Sequence, residues 1–343
     1  MKLDHTALAT LDRCEVEFTW RHVHHLAPTG VSAAAHFGQV LHVGVRALYD
    51  GHSVAECQAA MRTAWTTGME AEAVASLLAD GPRHCVVCGG WGGETNVFGG
   101  RGKHLTPVTC ICKISDFAPT YDANKLHLSL WRAFRTLDVY AQEWGLCNAR
   151  GDALAPATFD VVWNEGYAES ATECGLPDRA VRMHADGLLY AMDLKTTSMY
   201  VSADWQRSFE HSQQAAMQLD ILEAALGMPL AGFWLDAIHV RRDGVPRKDD
   251  FSRYGPLAYS AELRAELREQ RFWKAARAHD LREYAHRYPE LARKSPGACI
   301  RYNALCPYFD LCKAAPAERP ALVQIALAKG TLKEQMWKPS QRD

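Results

Sequence analysis

Apolar residues recur with a helical period over residues 33–49, where Phe37, Val40, Leu41, Val45 and Leu48 fall on one stripe. Shorter runs of the same kind predict helices over residues 6–18, 54–78, 125–144 and 206–226. The pattern changes to short apolar runs at 159–167, 181–185, 188–194 and 232–240, each bounded by turn residues, which predicts strands. Residues 260–288 predict a long, charge-rich helix, and the chain from Pro296 onward shows no clear period. Helices, then a mostly contiguous group of strands, then helices point to an α/β fold around one central sheet. There is no internal repeat and no low-complexity tract.

Composition narrows this picture without changing it. The 343 residues are 48% hydrophobic and 23% charged, ordinary for a folded chain with one large core, or one core plus a small appended module. The formal net charge of -2 supplies no global basic field, so a nucleic-acid partner would need a local groove. No apolar run approaches the ~20 residues that span a bilayer, and the polar start is unlike a signal peptide. The expectation is a soluble, cytoplasmic protein with no membrane partner. Eleven cysteines in such a protein are better explained by metal binding than by disulfides.

One stretch carries most of the chemistry. Asp186-Gly-Leu-Leu-Tyr-Ala-Met-Asp193-Leu-Lys195 puts a carboxylate between two predicted strands and a second carboxylate two residues from a lysine. Alternate strand residues share a face, so Asp193 and Lys195 project together. Pairing of the two strands would let Asp186 converge on them. Two carboxylates and an ammonium on one sheet face suit a divalent metal beside a scissile phosphate. An exposed hairpin with a surface ion pair has the same pattern.

The cysteines form two constellations. Cys299, Cys306 and Cys312 are one ligand short of a tetrahedral site or a four-iron cluster, and Cys14, alone on the first predicted helix, is the candidate fourth. Such a site would clamp the two chain ends together. Cys85-x2-Cys88 and Cys110-x-Cys112 flank a glycine-rich segment too poor in apolar residues to build a core, the pattern of a small structural zinc site. Basic residues Arg241 and Arg242 follow a predicted strand and are candidate phosphate contacts. The arginines of 260–288 could line a DNA groove, but interleaved glutamates favour a solvated charged face.

In order along the chain, Cys14, Gly38-x3-His42, Asp186, Asp193-x-Lys195 and the C-terminal cysteine trio resemble the RecB-like branch of the PD-(D/E)XK nucleases. The iron–sulfur members are most similar: AddB-type nuclease domains, CRISPR-associated exonucleases and phage relatives. The resemblance covers residues 8–312 apart from 81–119. It implies a restriction-endonuclease-like core with a mixed central sheet, and a [4Fe-4S] cluster on Cys14, Cys299, Cys306 and Cys312. It also implies Mg²⁺ or Mn²⁺ on His42, Asp186 and Asp193, with Lys195 catalytic. Gly38, one turn before His42, would let that helix pack closely on the catalytic sheet. Gln214 fits the family's Gln-x3-Tyr helix motif, but Gln218 stands where the tyrosine is expected. The first gap of the cysteine trio is also longer than usual. Glu165, at a strand end, is a further carboxylate candidate.

The implied organisation is a helical part of the nuclease domain at 1–80 and a zinc-ribbon-like insertion at 81–119. The nuclease core and iron–sulfur tail would follow at 120–315, then a tail at 316–343. The implied activity is metal-dependent hydrolysis of DNA phosphodiester bonds, exonucleolytic on single strands or duplex ends, with a helicase or other DNA-processing protein as partner. The alternative is a catalytically weak DNA-binding or scaffold subunit of a repair, recombination or CRISPR-adaptation complex.

Overall fold

The computed structural model describes residues 3–29, 33–67, 98–99, 103–104, 130–241, 246–285, 291–301 and 304–335. The expected zinc ligands Cys85, Cys88, Cys110 and Cys112, and Arg242, lie outside them.

A five-stranded mixed sheet forms the centre. Its strands are β2 (Phe159–Asn164), β3 (Arg179–Met183), β4 (Leu189–Thr197), β5 (Gly232–His239) and β6 (Phe251–Leu257). They lie side by side in the order β6-β5-β4-β3-β2. Only β4 and β5 run parallel; the other neighbours are antiparallel. A parallel pair cannot be closed by a tight turn, and the helices α6 (Ala203–Arg207) and α7 (Gln213–Leu226) carry the crossover from β4 to β5. Strand β6 breaks alternation at Gly255-Pro256, which is why the hydrophobic pattern did not reveal it.

Helices cover both faces. On one side, α3 (Ala33–Tyr49), α4 (Val54–Thr66) and α5 (Leu130–Glu143) share a core with Tyr190, Met192, Leu194 and Ile238 of the sheet. The five stripe residues of α3 are all buried there, as the periodicity requires. On the other side, α7 packs Ala215, Leu219 and Leu222 against Leu189, Ala191, Leu235 and Ala237. Alternation along β4 thus sends even-numbered residues to one layer and odd-numbered residues to the other.

Outside α7 lies α8 (Ala261–Tyr284). Its basic residues do not simply face water. Arg264, Arg268 and Arg271 pair with Asp220, and Arg271 also pairs with Glu173. Lys274 and Arg277 reach Asp12 and Glu15 near the N-terminus.

The first and last described segments lie together. The first expected helix is two: α1 (His5–Arg13) and α2 (Glu15–Phe18), broken by extended backbone at Cys14. A π-helical turn, Thr19–Val23, then leads into β1 (Leu26–Pro28). β1 pairs with β7 (Leu332–Glu334), and the Tyr308 hydroxyl donates to the Leu26 carbonyl at 2.6 Å. The C-terminal part is therefore not irregular. It holds α9 (Phe309–Lys313), α10 (Arg319–Ala328) and β7. No helix among the described residues is long and apolar enough to cross a membrane.

Candidate metal and phosphate site

Asp193 and Lys195 project together from β4, as their spacing predicts. The Lys195 Nζ lies 2.5 Å from Asp193 Oδ2. Gln218 Nε2 of α7 donates to the other oxygen, Oδ1, at 2.6 Å. Asp193 is 2% exposed, so burial would cost several kcal/mol if the carboxylate were left unpartnered. The Oδ2 contact is close but not aligned as a hydrogen bond, which leaves that oxygen with unused accepting capacity.

The second carboxylate is a correction. Asp186 does not join Asp193. It sits in the β3–β4 turn, where Oδ1 accepts from the Leu188 amide at 2.9 Å and Oδ2 accepts the Tyr190 hydroxyl at 2.7 Å. These bonds, the Tyr190 hydroxyl foremost, hold its carboxyl below the usual range. It is a turn former.

Asp178 stands opposite Asp193 instead. The antiparallel register pairs Arg179 with Met192, so the next pair outward is 178 with 193. The Leu194 amide donates to Asp178 Oδ2 at 2.7 Å, and Oδ1 lies 3.6 Å from His42 Nδ1. His42, Glu165 and Asp178 each offer a ligand atom within 4.8 Å of the others. His42 and Glu165 thus meet at Asp178, not at Asp186 and Asp193. Glu165 also adopts a left-handed backbone, φ 33°, that a non-glycine residue rarely holds without support. Counting outward from the Asp186-Gly187 turn would have found Asp178. The apolar-run criterion missed it because it ends a polar loop.

Gly38 supplies the close approach expected of it. A Cβ there would lie 2.8 Å from Thr196 Oγ1 on β4. One turn later on the same helix, His42 reaches the sheet end.

These groups open on a cavity of about 630 Å³ lined by His42, Asp178, Asp193, Lys195, Gln214 and Gln218. Gln214 and Gln218 are one turn apart on α7, which puts both on the cavity side. The opposite wall comes from the chain ends and includes His5, Arg21 and Lys333, none of which the sequence reading singled out. Burial, then the charges of Lys195, Lys274 and Arg271, lowers the His5 pKa to about 4.

Arg241 does not line this cavity; its guanidinium is engaged by Asp249 and Asp250.

Cys14, Cys299, Cys306 and Cys312 are free thiols at the junction of the chain ends. Cys14 and Cys312 pack against one apolar cluster, Cys306 and Cys312 against the next. The Cys306 amide donates to the Cys299 carbonyl at 2.8 Å. Burial raises the Cys306 thiol, and Cys14 and Cys299 add to the shift; burial, then Cys306 and Cys14, raises Cys312 to about 11. Cys306 and Cys312 thus both lie near enough to Cys14 to feel its charge. The four are not drawn into a tight cluster, since among the described residues no three lie within 4.8 Å. Cys57 and Cys174 are buried packing residues.

No protein-family model matches the chain, and no curated protein matches it.

Proposed function

We propose that this chain is a metal-dependent nuclease that hydrolyses DNA phosphodiester bonds, acting from single-stranded or exposed ends. One observation carries the reading: His42, Asp178, Asp193 and Lys195 line one cavity at the sheet end, with Asp178, just before β3, opposite Asp193 of β4 and the lysine beside them.

The donor set fits a hard divalent ion. Carboxylate oxygens with one imidazole suit Mg²⁺ or Mn²⁺, and His42, Glu165 and Asp178, whose ligand atoms lie within 4.8 Å of one another, would hold it, with Asp193 on the wall of the same cavity. When bound, such an ion acidifies water and neutralises phosphate charge. The protein's own groups do the rest. The Leu194 amide fixes Asp178 and the Gln218 amide fixes Asp193, so neither carboxylate has to reorganise. The Lys195 ammonium, 25% exposed on the cavity side, donates to the attacking water and to a non-bridging phosphoryl oxygen. The Gln214 carboxamide is available to a neighbouring phosphate or sugar. Exonucleolytic action and the preference for ends rest on the resemblance in the sequence.

The proposal extends to the cysteines. A single zinc ion holds thiolates at ~2.3 Å and so within about 4 Å of one another. Among the described residues no three of these thiols lie that close, and it is by the resemblance in the sequence that Cys14, Cys299, Cys306 and Cys312 would carry a [4Fe-4S] cluster. Its role would be structural, joining the chain ends. Anaerobic protein should be brown, with iron and sulfide in comparable amounts.

The active-site test uses end-labelled DNA with Mn²⁺. Lys195→Ala and Asp178→Asn should each slow cleavage by at least ~10²-fold, the usual cost of losing one transition-state contact. Asp186→Asn should stay within a few-fold of wild type. Cleavage that survives in Asp178→Asn and dies in Asp186→Asn would restore the sequence-derived ligand set. DNA binding without turnover would favour the scaffold reading.

A further inference from the structure

The β1–β7 ribbon has two faces, and each faces a different cavity. In its antiparallel register, Ala27 pairs with Lys333 and Leu26 with Glu334. Ala27 and Lys333 line the cavity of Asp193 and Lys195. Leu26 and Glu334 line a second cavity, of about 960 Å³, on the other side. Over these two pairs the period-two alternation of a strand builds a partition, with Pro28 at the ribbon's end also bordering the first cavity. The π-helical turn before β1 continues it: Arg21 faces the first cavity, Trp20 and His24 the second.

The lining of the second cavity has a definite chemistry. Arg293, Lys294 and Arg319 stand against a single carboxylate, Glu334, in a chain whose net charge is -2. Trp20 is half-buried, held from behind by two apolar clusters and flanked by the His24 ring at 4.9 Å. Val16, Pro316, Pro320 and Val323 complete an apolar floor. A fixed aromatic face beside several cations is the combination that takes a base by stacking and its phosphate by charge-assisted contacts. Lys294 Nζ donates to the Cys312 carbonyl at 2.6 Å and Arg319 Nε to the Ala314 carbonyl at 3.3 Å, neutral partners that leave both charges for an anion, and a fatty ligand would use only the floor.

We propose that this second cavity is a nucleotide-binding site, with the base against Trp20 and the phosphate against Arg293, Lys294 and Arg319. The nucleotide is either free or one unit of a single strand. Because the ribbon is shared, an occupant would bear on the wall of the first cavity. The proposal stands apart from the nuclease reading, since its test measures binding and not hydrolysis.

The full chain, kept in EDTA, is titrated into two fluorescent probes at fixed salt: a labelled dATP and a labelled dT12 strand. Arg293→Glu, at an exposed position, and Arg319→Gln remove charge from the second cavity. Lys333→Glu changes only the other face of the ribbon. The expected result is at least a threefold weakening of one probe by both second-cavity variants. Weakening of dATP assigns a free ligand; weakening of dT12 alone assigns the strand. Trp20→Ala, checked for folding by circular dichroism, should weaken the same probe. Overturning results are no binding of either probe to wild type, less than threefold change in both variants, or loss confined to Lys333→Glu.

Discussion

Two buried aspartates on neighbouring strands, Asp193 on β4 and Asp236 on β5, face opposite sides of the sheet and meet opposite fates. Asp236 is wholly buried. The Tyr140 hydroxyl donates to its Oδ2, Arg179 Nη2 lies 3.4 Å from the same oxygen, and Arg253 Nε is 3.8 Å from Oδ1. Burial, then the charge of Asp236, holds the Tyr140 hydroxyl well above its ordinary range, so it stays a donor. Tyr49 and Trp144 close the set: Arg253 donates to the Tyr49 hydroxyl at 2.6 Å, and its guanidinium lies 3.8 Å from the Trp144 ring centre. Asp193 has similar partners, a cation and a neutral donor, but opens on a cavity. A buried carboxylate with a cation is therefore no sign of function by itself. Access for a ligand is what separates the two, and the sequence shows both as an aspartate in an apolar strand.

The largest expected effect breaks the sealed partner. Asp236→Ala leaves Arg179 and Arg253 buried without their shared anion and should destabilise the protein by about 3–5 kcal/mol. Asp193→Ala should cost about 1 kcal/mol, because Lys195 can turn to the water of the cavity. Urea midpoints with an unchanged slope measure both. Equal losses would mean that Asp193 too is only a structural charge.

The next prediction tests how the sealed face supports the open one. Gly38 lets α3 approach Thr196, and that approach delivers His42 toward Asp178. Gly38→Ala puts a Cβ 2.8 Å from Thr196 Oγ1 and should cost about 1–3 kcal/mol by overpacking. Thr196→Ala should return most of it, a coupling that a double-mutant cycle reads directly. Additive losses would remove the contact as the reason for the glycine.

Legibility in the sequence followed the reach of the signal. Asp193 and Lys195 were visible because a period of two is local, and α3 because its stripe repeats over four turns. The layer order followed from the succession of helices and strands. Asp178 was invisible because its role is set by register across a turn, and Asp186 resembled a ligand because a turn aspartate and a metal aspartate are the same letter. β7 was too short for any period, yet it forms the wall of two cavities. The buried Arg271 of α8 looked solvated because its acidic partners lie on other elements.

The smallest effect sharpens the electrostatic side of the comparison. The cations around the open site are felt by His5 on its wall: burial first, then Lys195, Lys274 and Arg271, lowers its pKa to about 4. An unfolded histidine titrates near ~6.5. Between these values the unfolded chain holds more protons than the folded one, so stability rises with pH there. His5 thus adds no slope above pH 6.5, and the stability it favours is lost as pH falls toward 4. His5→Asn lacks this group, so its advantage over wild type should grow from pH 7 to pH 4.5, read from urea midpoints at each pH. The difference isolates His5 from His22, whose pKa is lowered further, to about 3, mainly by burial. If the two proteins keep a constant difference across the range, His5 does not sense the site's cations, and only ligand access distinguishes Asp193 from Asp236.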